Sequence, residues 1–265
     1  MARLIDTHCH LDAGEFDPDR AQVLARARAA GVAALLVPAV ERANFATVRA
    51  LAGQQPGIAY TLGIHPLYLE RAAPGDVDLL RDAARAAMDD SRFVGIGEIG
   101  LDHFVTGLDP QRQLQLFVAQ LEIAARLALP VVLHVRRAQD VMLRELRRVR
   151  VPGGIAHAFN GSRQQAQAFL DLGFALGFGG AMTFERASRI RALVAELDAG
   201  AHVLETDAPD IPPQWIRNGR NSPEELPRIA RSFAALRGLE LDAALAQTEA
   251  NALRVLPRMR TALGD

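Results

Sequence analysis

The alternation of short apolar runs with longer amphipathic runs is the feature of this sequence that most constrains its fold. Each short run is continuously hydrophobic, which is typical of parallel strands whose outer face is covered by helices. Turn residues such as Gly and Pro bound the runs. The predicted strands are 3–7, 33–39, 58–64, 93–98, 131–135, 154–157, 174–178 and 202–206.

The runs between these strands have the apolar period of helices that bury one face. Several carry boundary signals, such as Pro18 and Gly31 around the first run and Ser162 at the start of the sixth. The predicted helices are 18–30, 41–52, 76–88, 110–128, 138–149, 162–172, 185–197 and 223–236, with an additional C-terminal helix at about 241–260.

Eight strand–helix units in one chain predict an α/β fold of the (β/α)8 TIM-barrel type, with a doubly wound open sheet as the alternative. No linker, low-complexity segment or sequence repeat divides the chain. We therefore expect one domain over residues 1–265, and the 49% hydrophobic content is enough for a core of that size.

The composition excludes several classes of function. A formal net charge of -1 argues against binding of nucleic acid through a broad basic surface. The 30 cationic residues are all arginine, which excludes chemistry that needs a lysine nucleophile. Cys9 is the single cysteine, and no run approaches the roughly 20 apolar residues of a membrane span. We expect a soluble cytoplasmic protein with no membrane association and no obligate protein partner.

Polar side chains gather at the carboxyl ends of the predicted strands. His8 and His10 follow the first strand, and residues two apart on a strand face the same side. Six of the seven histidines lie at or just beyond such an end, where TIM barrels build their active sites. The candidate site residues are His8, His10, His65, Glu98, His103, His134, His157 and Asp207.

Four of these histidines and the two carboxylates form a ligand set that suits divalent metal ions. Glu98 is the candidate for a bridge between two ions, although a carboxylate at a strand end ordinarily pairs with an arginine. Asp207 is a candidate metal ligand and a candidate acceptor for the proton of an attacking water, with a helix N-cap as the structural alternative.

Six motifs in register resemble the TatD family of metal-dependent hydrolases, within the amidohydrolase-type barrels. The match runs in order from residue 6 to about 255, and residues 248–252 resemble the closing motif of the family. The six motifs are Asp6-Thr7-His8-Cys9-His10-Leu11-Asp12, Gly63-Ile64-His65-Pro66, Gly97-Glu98-Ile99-Gly100-Leu101-Asp102, Leu129-Pro130-Val131-Val132-Leu133-His134-Val135-Arg136, His157-Ala158-Phe159-Asn160-Gly161 and Glu205-Thr206-Asp207-Ala208-Pro209.

The resemblance implies a TIM-type hydrolase with two divalent metal ions, of which Zn, Mg, Mn and Ni are all candidates. It implies hydrolysis of phosphodiester bonds, most often in DNA, and we expect a deoxyribonuclease that works from an end in the 3′-5′ direction. The expected partner is DNA, as ends or single strands, or a phosphorylated or nucleotide substrate. The implied metal ligands are His8, His10, Glu98, His134, His157 and Asp207, with Glu98 shared. Asp207, Glu98 and His65 are the expected catalytic residues, and His65 resembles the substrate-side histidine of the family.

The rim of the site is where this sequence departs from the family. His103 stands where the family often has an aromatic residue, and the loop 207–221 lacks the commoner form, so both bear on substrate choice. Arg136 is a candidate clamp for phosphate, with a salt bridge on the rim as the alternative. Other candidate contacts to a nucleic acid are the cations Arg217 and Arg220 and the aromatic rings of Trp215 and Phe159.

Two alternatives remain open from the sequence. The same metal site can serve a different bond, such as an ester or amide, including the ester of aminoacyl-tRNA. A metal-bound binding protein without turnover is the other alternative. The acidic Asp207 beside a complete ligand set argues against it, because a structural metal site closes its coordination sphere.

Overall fold

The computed structural model describes residues 2–216 and 218–264. Its eight parallel strands form one sheet in which each strand is hydrogen-bonded to its neighbours in chain order. The predicted (β/α)8 barrel is therefore confirmed. The strands are β1 (Leu4–Asp6), β2 (Val32–Pro38), β3 (Ile58–Leu62), β4 (Phe93–Asp102), β5 (Val131–Arg136), β6 (Gly154–His157), β7 (Phe174–Phe178) and β8 (His202–Leu204).

The first and last strands meet just beyond their carboxyl ends. The Thr7 backbone N–H donates to the Leu204 carbonyl over 3.0 Å. The Asp6 carboxylate accepts from the Thr206 backbone N–H at 2.9 Å and from its hydroxyl at 2.6 Å. These bonds join β1 to the segment after β8 and close the sheet into a barrel.

The helices form the outer layer, and most predicted ones lie within three residues of their expected ends. The second begins later than predicted, because Arg42–Asn44 form a 3-10 turn before it. The helices are α1 (Arg20–Ala29), α2 (Phe45–Gln54), α3 (Asp76–Ala86), α4 (Pro110–Arg126), α5 (Gln139–Arg148), α6 (Arg163–Asp171), α7 (Ser188–Glu196), α8 (Leu226–Arg237), α9 (Leu241–Val255) and α10 (Met259–Ala262).

Strand β4 continues to Asp102, four residues beyond its predicted end. Its last residues still pair with β5, in a register that places Gly100 opposite His134 and Asp102 opposite Arg136. A side chain at Gly100 would collide with the His134 carbonyl. Gly100 therefore allows β4 and β5 to approach closely.

The buried apolar side chains form two clusters, one between the strands and the surrounding helices and one inside the barrel. The outward faces of the strands pack under the surrounding helices. Inside the barrel, a second cluster that includes Ile5, Val132 and Ile155 packs against Leu256 and Met259 in the α9–α10 segment. The C-terminal helices thus close the amino end of the barrel. Among the described residues, no helix combines the length and hydropathy that crossing a membrane requires.

Candidate active site

The buried carboxylate of Glu98 lies at the centre of the polar carboxyl end. Its Oε2 atom lies 3.2 Å from His8 Nε2 and 3.4 Å from His10 Nε2. These two ring nitrogens are 3.2 Å apart, as expected for residues two apart that face the same side. Asp207 Oδ1 lies on this side of the cluster, 3.5 Å from His8 Nε2 and 3.8 Å from His10 Nε2.

The other oxygen of Glu98 faces a different pair of histidines. Glu98 Oε1 lies 3.1 Å from His134 Nδ1 and 2.9 Å from His157 Nε2, and these two nitrogens are 3.4 Å apart. Burial works to raise the pKa of the Glu98 carboxyl, but the surrounding histidines outweigh it and hold the pKa well below its usual range. The cluster therefore keeps Glu98 ionised.

His65 also lies beside Glu98, but its ring is held differently. The Leu67 backbone N–H donates to His65 Nδ1 over 3.1 Å, so the proton of the neutral ring resides on Nε2. That Nε2 atom lies 3.2 Å from Glu98 Oε1. Burial lowers the pKa of His65 to about 4, which keeps the ring neutral. His65 is therefore a hydrogen-bond donor within the site.

Two buried glutamines of α4 fix the backbone beside this site. Gln120 accepts from the Ile64 backbone N–H at 2.7 Å and donates to its carbonyl at 3.0 Å, directly before His65. Gln113 holds both backbone groups of Asp102 in the same way, at 2.8 Å and 3.0 Å. The sequence interpretation missed both residues. Their signal was a seven-residue spacing, two turns, that places both on the buried face of the helix.

Asp102 is a further residue of the site that the sequence interpretation missed, although it closes the motif that contains Glu98. Its Oδ2 lies 3.0 Å from His134 Nε2, while its Oδ1 accepts from the backbone N–H groups of Phe104 and Val105 at 2.8 Å and 2.9 Å. Burial works to raise the pKa of Asp102, but these hydrogen bonds hold it below its usual range. A carboxylate in this position orients a histidine whose other nitrogen binds a metal.

Glu205 is a further buried carboxyl that was not among the predicted site residues. Its Oε1 accepts from the Ala158 backbone N–H at 2.5 Å and lies 3.8 Å from His157 Nδ1. A side chain at Gly177 would collide with this carboxyl group. Burial raises the pKa of Glu205 to about 8. The signal in the sequence was its position two residues before Asp207.

The backbone of Asp207 turns its side chain into the site. Its φ of +58° lies in the left-handed region, which Asp tolerates better than most residues. The Asp207 backbone N–H donates to the His8 carbonyl over 2.8 Å, so the acid is anchored to the strand that supplies the first histidines. Burial raises the pKa of Asp207 above its usual value.

The predicted substrate contacts Arg136 and His103 lie on the rim. The exposed Arg136 guanidinium is 4.0 Å from Asp102 Oδ2, and the His103 backbone N–H donates to the Arg136 carbonyl over 2.9 Å. The His103 side chain is exposed. Within residues 2–216 and 218–264, no hydrogen bond or ion pair joins that side chain to the Glu98 cluster.

Three of the other candidate contacts to nucleic acid make contacts within the protein. Phe159 is 1% exposed and packs against Phe169 at a centroid distance of 5.6 Å, so its prediction as a stacking face is wrong. Arg220 forms a two-point ion pair with Asp19, at 2.9 Å and 2.8 Å. Trp215 donates to Glu225 over 2.7 Å. Arg217 lies outside the described residues.

The donor atoms of this cluster have the chemistry of a metal site. Three groups, His8–His10–Glu98, His8–His157–Asp207 and His65–Glu98–His134, each bring three possible ligand atoms within 4.8 Å of one another. Converging imidazole nitrogens and carboxylate oxygens are the donors that zinc-like and harder divalent ions bind. These residues therefore fit a divalent metal.

Known proteins resemble this chain along most of its length. Residues 5–257 match the protein family described as TatD related DNase. The chain is 42% identical to the uncharacterized metal-dependent hydrolase YjjV of Escherichia coli K12 over 240 residues, 89% of this chain and 91% of that protein. It is 36% identical to the 3′-5′ ssDNA/RNA exonuclease TatD of Klebsiella pneumoniae over 255 residues, 94% of this chain and 95% of the relative.

The fold agrees with the same group of proteins. The crystal structure of YjjV from Escherichia coli K12, described as a TatD homologue, superimposes with a TM-score of 0.92 at 38% sequence identity. The superposition covers 97% of this chain and 98% of that one. The site residues therefore lie in a barrel shared along almost its whole length.

Proposed function

The chain belongs to the TatD family of metal-dependent hydrolases, and on that premise we propose that it is a two-metal phosphodiesterase acting on the ends of single-stranded DNA. The observation that carries this proposal is the position of Glu98. Its two oxygens face two different pairs of histidines, so Glu98 would be able to help hold two divalent ions.

Ligand spacing supports a first ion between His8, His10 and Glu98. Two ligand atoms that each lie about 2.1 Å from one ion, at angles of about 90–109°, are about 3.0–3.4 Å apart. The three distances among His8 Nε2, His10 Nε2 and Glu98 Oε2 are 3.2 Å, 3.2 Å and 3.4 Å. Asp207 Oδ1 stands on the same side and is the further ligand that we propose.

His134, His157 and Glu98 would hold a second divalent ion. The distances among His134 Nδ1, His157 Nε2 and Glu98 Oε1 are 3.1 Å, 2.9 Å and 3.4 Å. His65 is left out of the ligand set, because its ring nitrogen facing Glu98 carries the proton. Zinc, manganese, magnesium and nickel all accept this mixture of nitrogen and oxygen donors.

The residues of the chain divide the remaining work of hydrolysis. Divalent ions supply Lewis-acid activation of water and neutralise charge on the phosphate. Asp207 orients the attacking water and accepts its proton. His65 donates its Nε2 proton in a hydrogen bond to a phosphate or leaving-group oxygen. His103 and Arg136 are proposed substrate contacts on the rim.

The substrate class follows from a relative and from charge. The Klebsiella pneumoniae protein is named a 3′-5′ ssDNA/RNA exonuclease, and we propose the same polarity and a single-stranded substrate here. The net charge of -1 supports binding at one strand end, since a protein that holds long duplexes presents a broad cationic surface. We further propose a single hydrolase domain, and a cytoplasmic location that agrees with one buried free cysteine.

The test is a metal-reconstitution assay on labelled single-stranded DNA. The protein is stripped with a chelator, dialysed, and supplied separately with zinc, manganese, magnesium or nickel. We expect stepwise shortening of a 5′-labelled strand and immediate release of the label from a 3′-labelled one. Renewed chelation should abolish both, and Glu98→Gln should lose most of its activity with every metal.

A panel of other bonds completes this test. The same preparations are given carboxylic esters, amides and an aminoacyl-tRNA. Turnover of these compounds without nucleotide release would replace the phosphodiesterase proposal with hydrolysis of another bond. Binding of metal and DNA without turnover of any substrate would contradict the enzymatic proposal.

A further inference from the structure

Most of the exposed large apolar side chains lie in the loops at the carboxyl end of the barrel. Of the large hydrophobic residues described as exposed, only Leu79 lies on an outer helix. The others follow β3, β4 and β8, on the rim that surrounds Glu98, and are Leu67, Phe104, Val105 and Ile211. Singly exposed apolar residues are common on protein surfaces, so a binding role needs a further observation.

Phe104 stands out among these residues because two cations lie against its ring. The guanidinium carbon of Arg136 is 3.9 Å from the ring centroid, and that of Arg137 is 4.5 Å away. The residue nevertheless remains 44% exposed. Arg136 approaches Asp102 only at 4.0 Å, and Arg137 has no ion pair with any described residue. Most of this positive charge therefore faces solvent.

The backbone of Phe104 is also joined to the candidate metal site. Asp102 accepts from the Phe104 backbone N–H with one carboxylate oxygen and contacts His134 Nε2 with the other. Gln113 in turn holds the Asp102 backbone. The backbone of Phe104 is thus held at a fixed place relative to His134 before any substrate binds, which lowers the entropic cost of binding there.

We propose that Phe104, Arg136 and Arg137 form a nucleobase-stacking subsite that holds an unpaired base next to the scissile phosphodiester. The inference rests on the proposed function and specifies how that site selects its substrate. Aromatic rings and guanidinium planes both stack on bases, and guanidinium groups also bind the adjacent phosphates. A base inside a duplex is paired and stacked on both faces, so the subsite selects single strands.

Charge favours a nucleic acid over an apolar protein segment as the occupant. A protein segment would bury Phe104 together with two guanidinium groups that have little carboxylate compensation on this rim. A polyanion with flat bases satisfies the ring and the cations together. It also brings a phosphodiester toward Glu98, which an unrelated protein segment does not.

The first test measures binding without catalysis. A short single strand with 2-aminopurine at its 3′ end is titrated with protein in the presence of a chelator, and stacking is read as fluorescence quenching. Phe104→Ala should lose the quenching and weaken binding about tenfold, the scale of one base–aromatic stack. Phe104→Trp should retain both. Leu79→Ala, an exposed apolar residue on α3, is the matched control and should behave as wild type.

A second arm separates base stacking from loop support. The same strand is prepared with an abasic terminal nucleotide, for which wild type and Phe104→Ala should bind equally weakly. An equal loss on normal and abasic strands would show that the ring only holds the loop, and would overturn the subsite. Unchanged binding by Phe104→Ala, or no quenching by wild type, would also overturn it.

The two proposals fail in different ways. Nucleotide release by wild type, with no base-dependent effect of Phe104→Ala, would leave the phosphodiesterase in place and remove the subsite. Base-dependent quenching without nucleotide release in any metal would leave the stacking subsite in place and remove the phosphodiesterase. Arg136→Gln and Arg137→Gln should each weaken binding and make it less sensitive to salt, because each removes one cation from the phosphate contacts.

Discussion

The two ends of the barrel are built from the same strands but bury opposite kinds of side chain. On β5, Val132 belongs to the apolar interior, and His134, two residues further along the same face, faces Glu98. Ile155 and His157 make the same change on β6. One step of two residues thus separates a packed core from a polar site.

The difference shows how stability and function are divided in this chain. The amino end is sealed by apolar side chains from the α9–α10 segment, whose burial stabilises the fold. The carboxyl end buries imidazoles and carboxylates, which costs free energy unless partners compensate for it. Substitutions at the two ends should therefore affect different measurements, and the following variants test this division in order of expected effect.

Glu98→Gln should produce the largest effect and should act on activity. Losing the shared carboxylate should remove several kcal/mol of transition-state stabilisation, about 10³-fold in kcat/KM. Steady-state hydrolysis and elemental analysis after dialysis measure activity and bound metal. A variant that kept two tightly bound ions and full activity would remove Glu98 from the centre of the site.

Leu256→Ala should produce the largest effect at the opposite end. Leu256 is fully buried in the apolar cluster that closes the amino end of the barrel. Truncation of such a side chain lowers the free energy of unfolding by about 2–5 kcal/mol. Denaturant titration measures this change, while kcat/KM per folded molecule should remain near the wild-type value. A large loss of kcat/KM in the fully folded variant would show that the two ends are coupled.

Asp102→Asn and Asp90→Asn compare the two ends of one strand. Asp102 orients His134 at the carboxyl end of β4, whereas Asp90 precedes the strand and accepts from the Tyr60 hydroxyl at 2.9 Å. Asp102→Asn should lower metal affinity or activity about 10–100-fold, as loss of a partner behind a metal-bound histidine does. Asp90→Asn should leave both unchanged. Metal-dependent activity curves for the two variants check the difference, which equal curves would contradict.

Gln120→Leu should modestly lower both the stability and the activity, because this glutamine joins helix α4 to the backbone next to His65. Its loss leaves two backbone groups of Ile64 without their partner, which costs about 1–3 kcal/mol of stability. His65 follows Ile64 directly, so we also expect a severalfold fall in kcat. Gln115→Leu on the exposed face of the same helix is the control. Identical behaviour of the two variants would show that the hydrogen bonds between Gln120 and Ile64 do not support the site.

Patterns local to the chain predicted the barrel and its order of strands. The apolar runs fixed strand positions closely, and the polar residues after them predicted that His8, His10, Glu98, His134 and His157 would converge. They do converge, because the carboxyl ends of parallel strands share one end of a barrel. Their role as metal ligands remains a prediction.

Residues that act across elements were not predictable in this way. Gln113 looked like a polar residue on a helix, and its use became visible only when α4 lay against the end of β4. Phe159 looked available for stacking, but helix packing buried it. Phe104 was not considered, because nothing local places Arg136 and Arg137 against its ring.

The sequence by itself thus determined which residues reach the carboxyl end of the barrel, since strand alternation and strand ends are properties of consecutive residues. The tertiary structure decided which atom each of them faces. In the folded barrel the two oxygens of Glu98 contact different histidine pairs, and Asp102 contacts His134. The hydrogen bond to His65 Nδ1 leaves the ring proton on Nε2. Such pairings depend on the closure of the barrel, which brings residues far apart in sequence to within hydrogen-bonding distance.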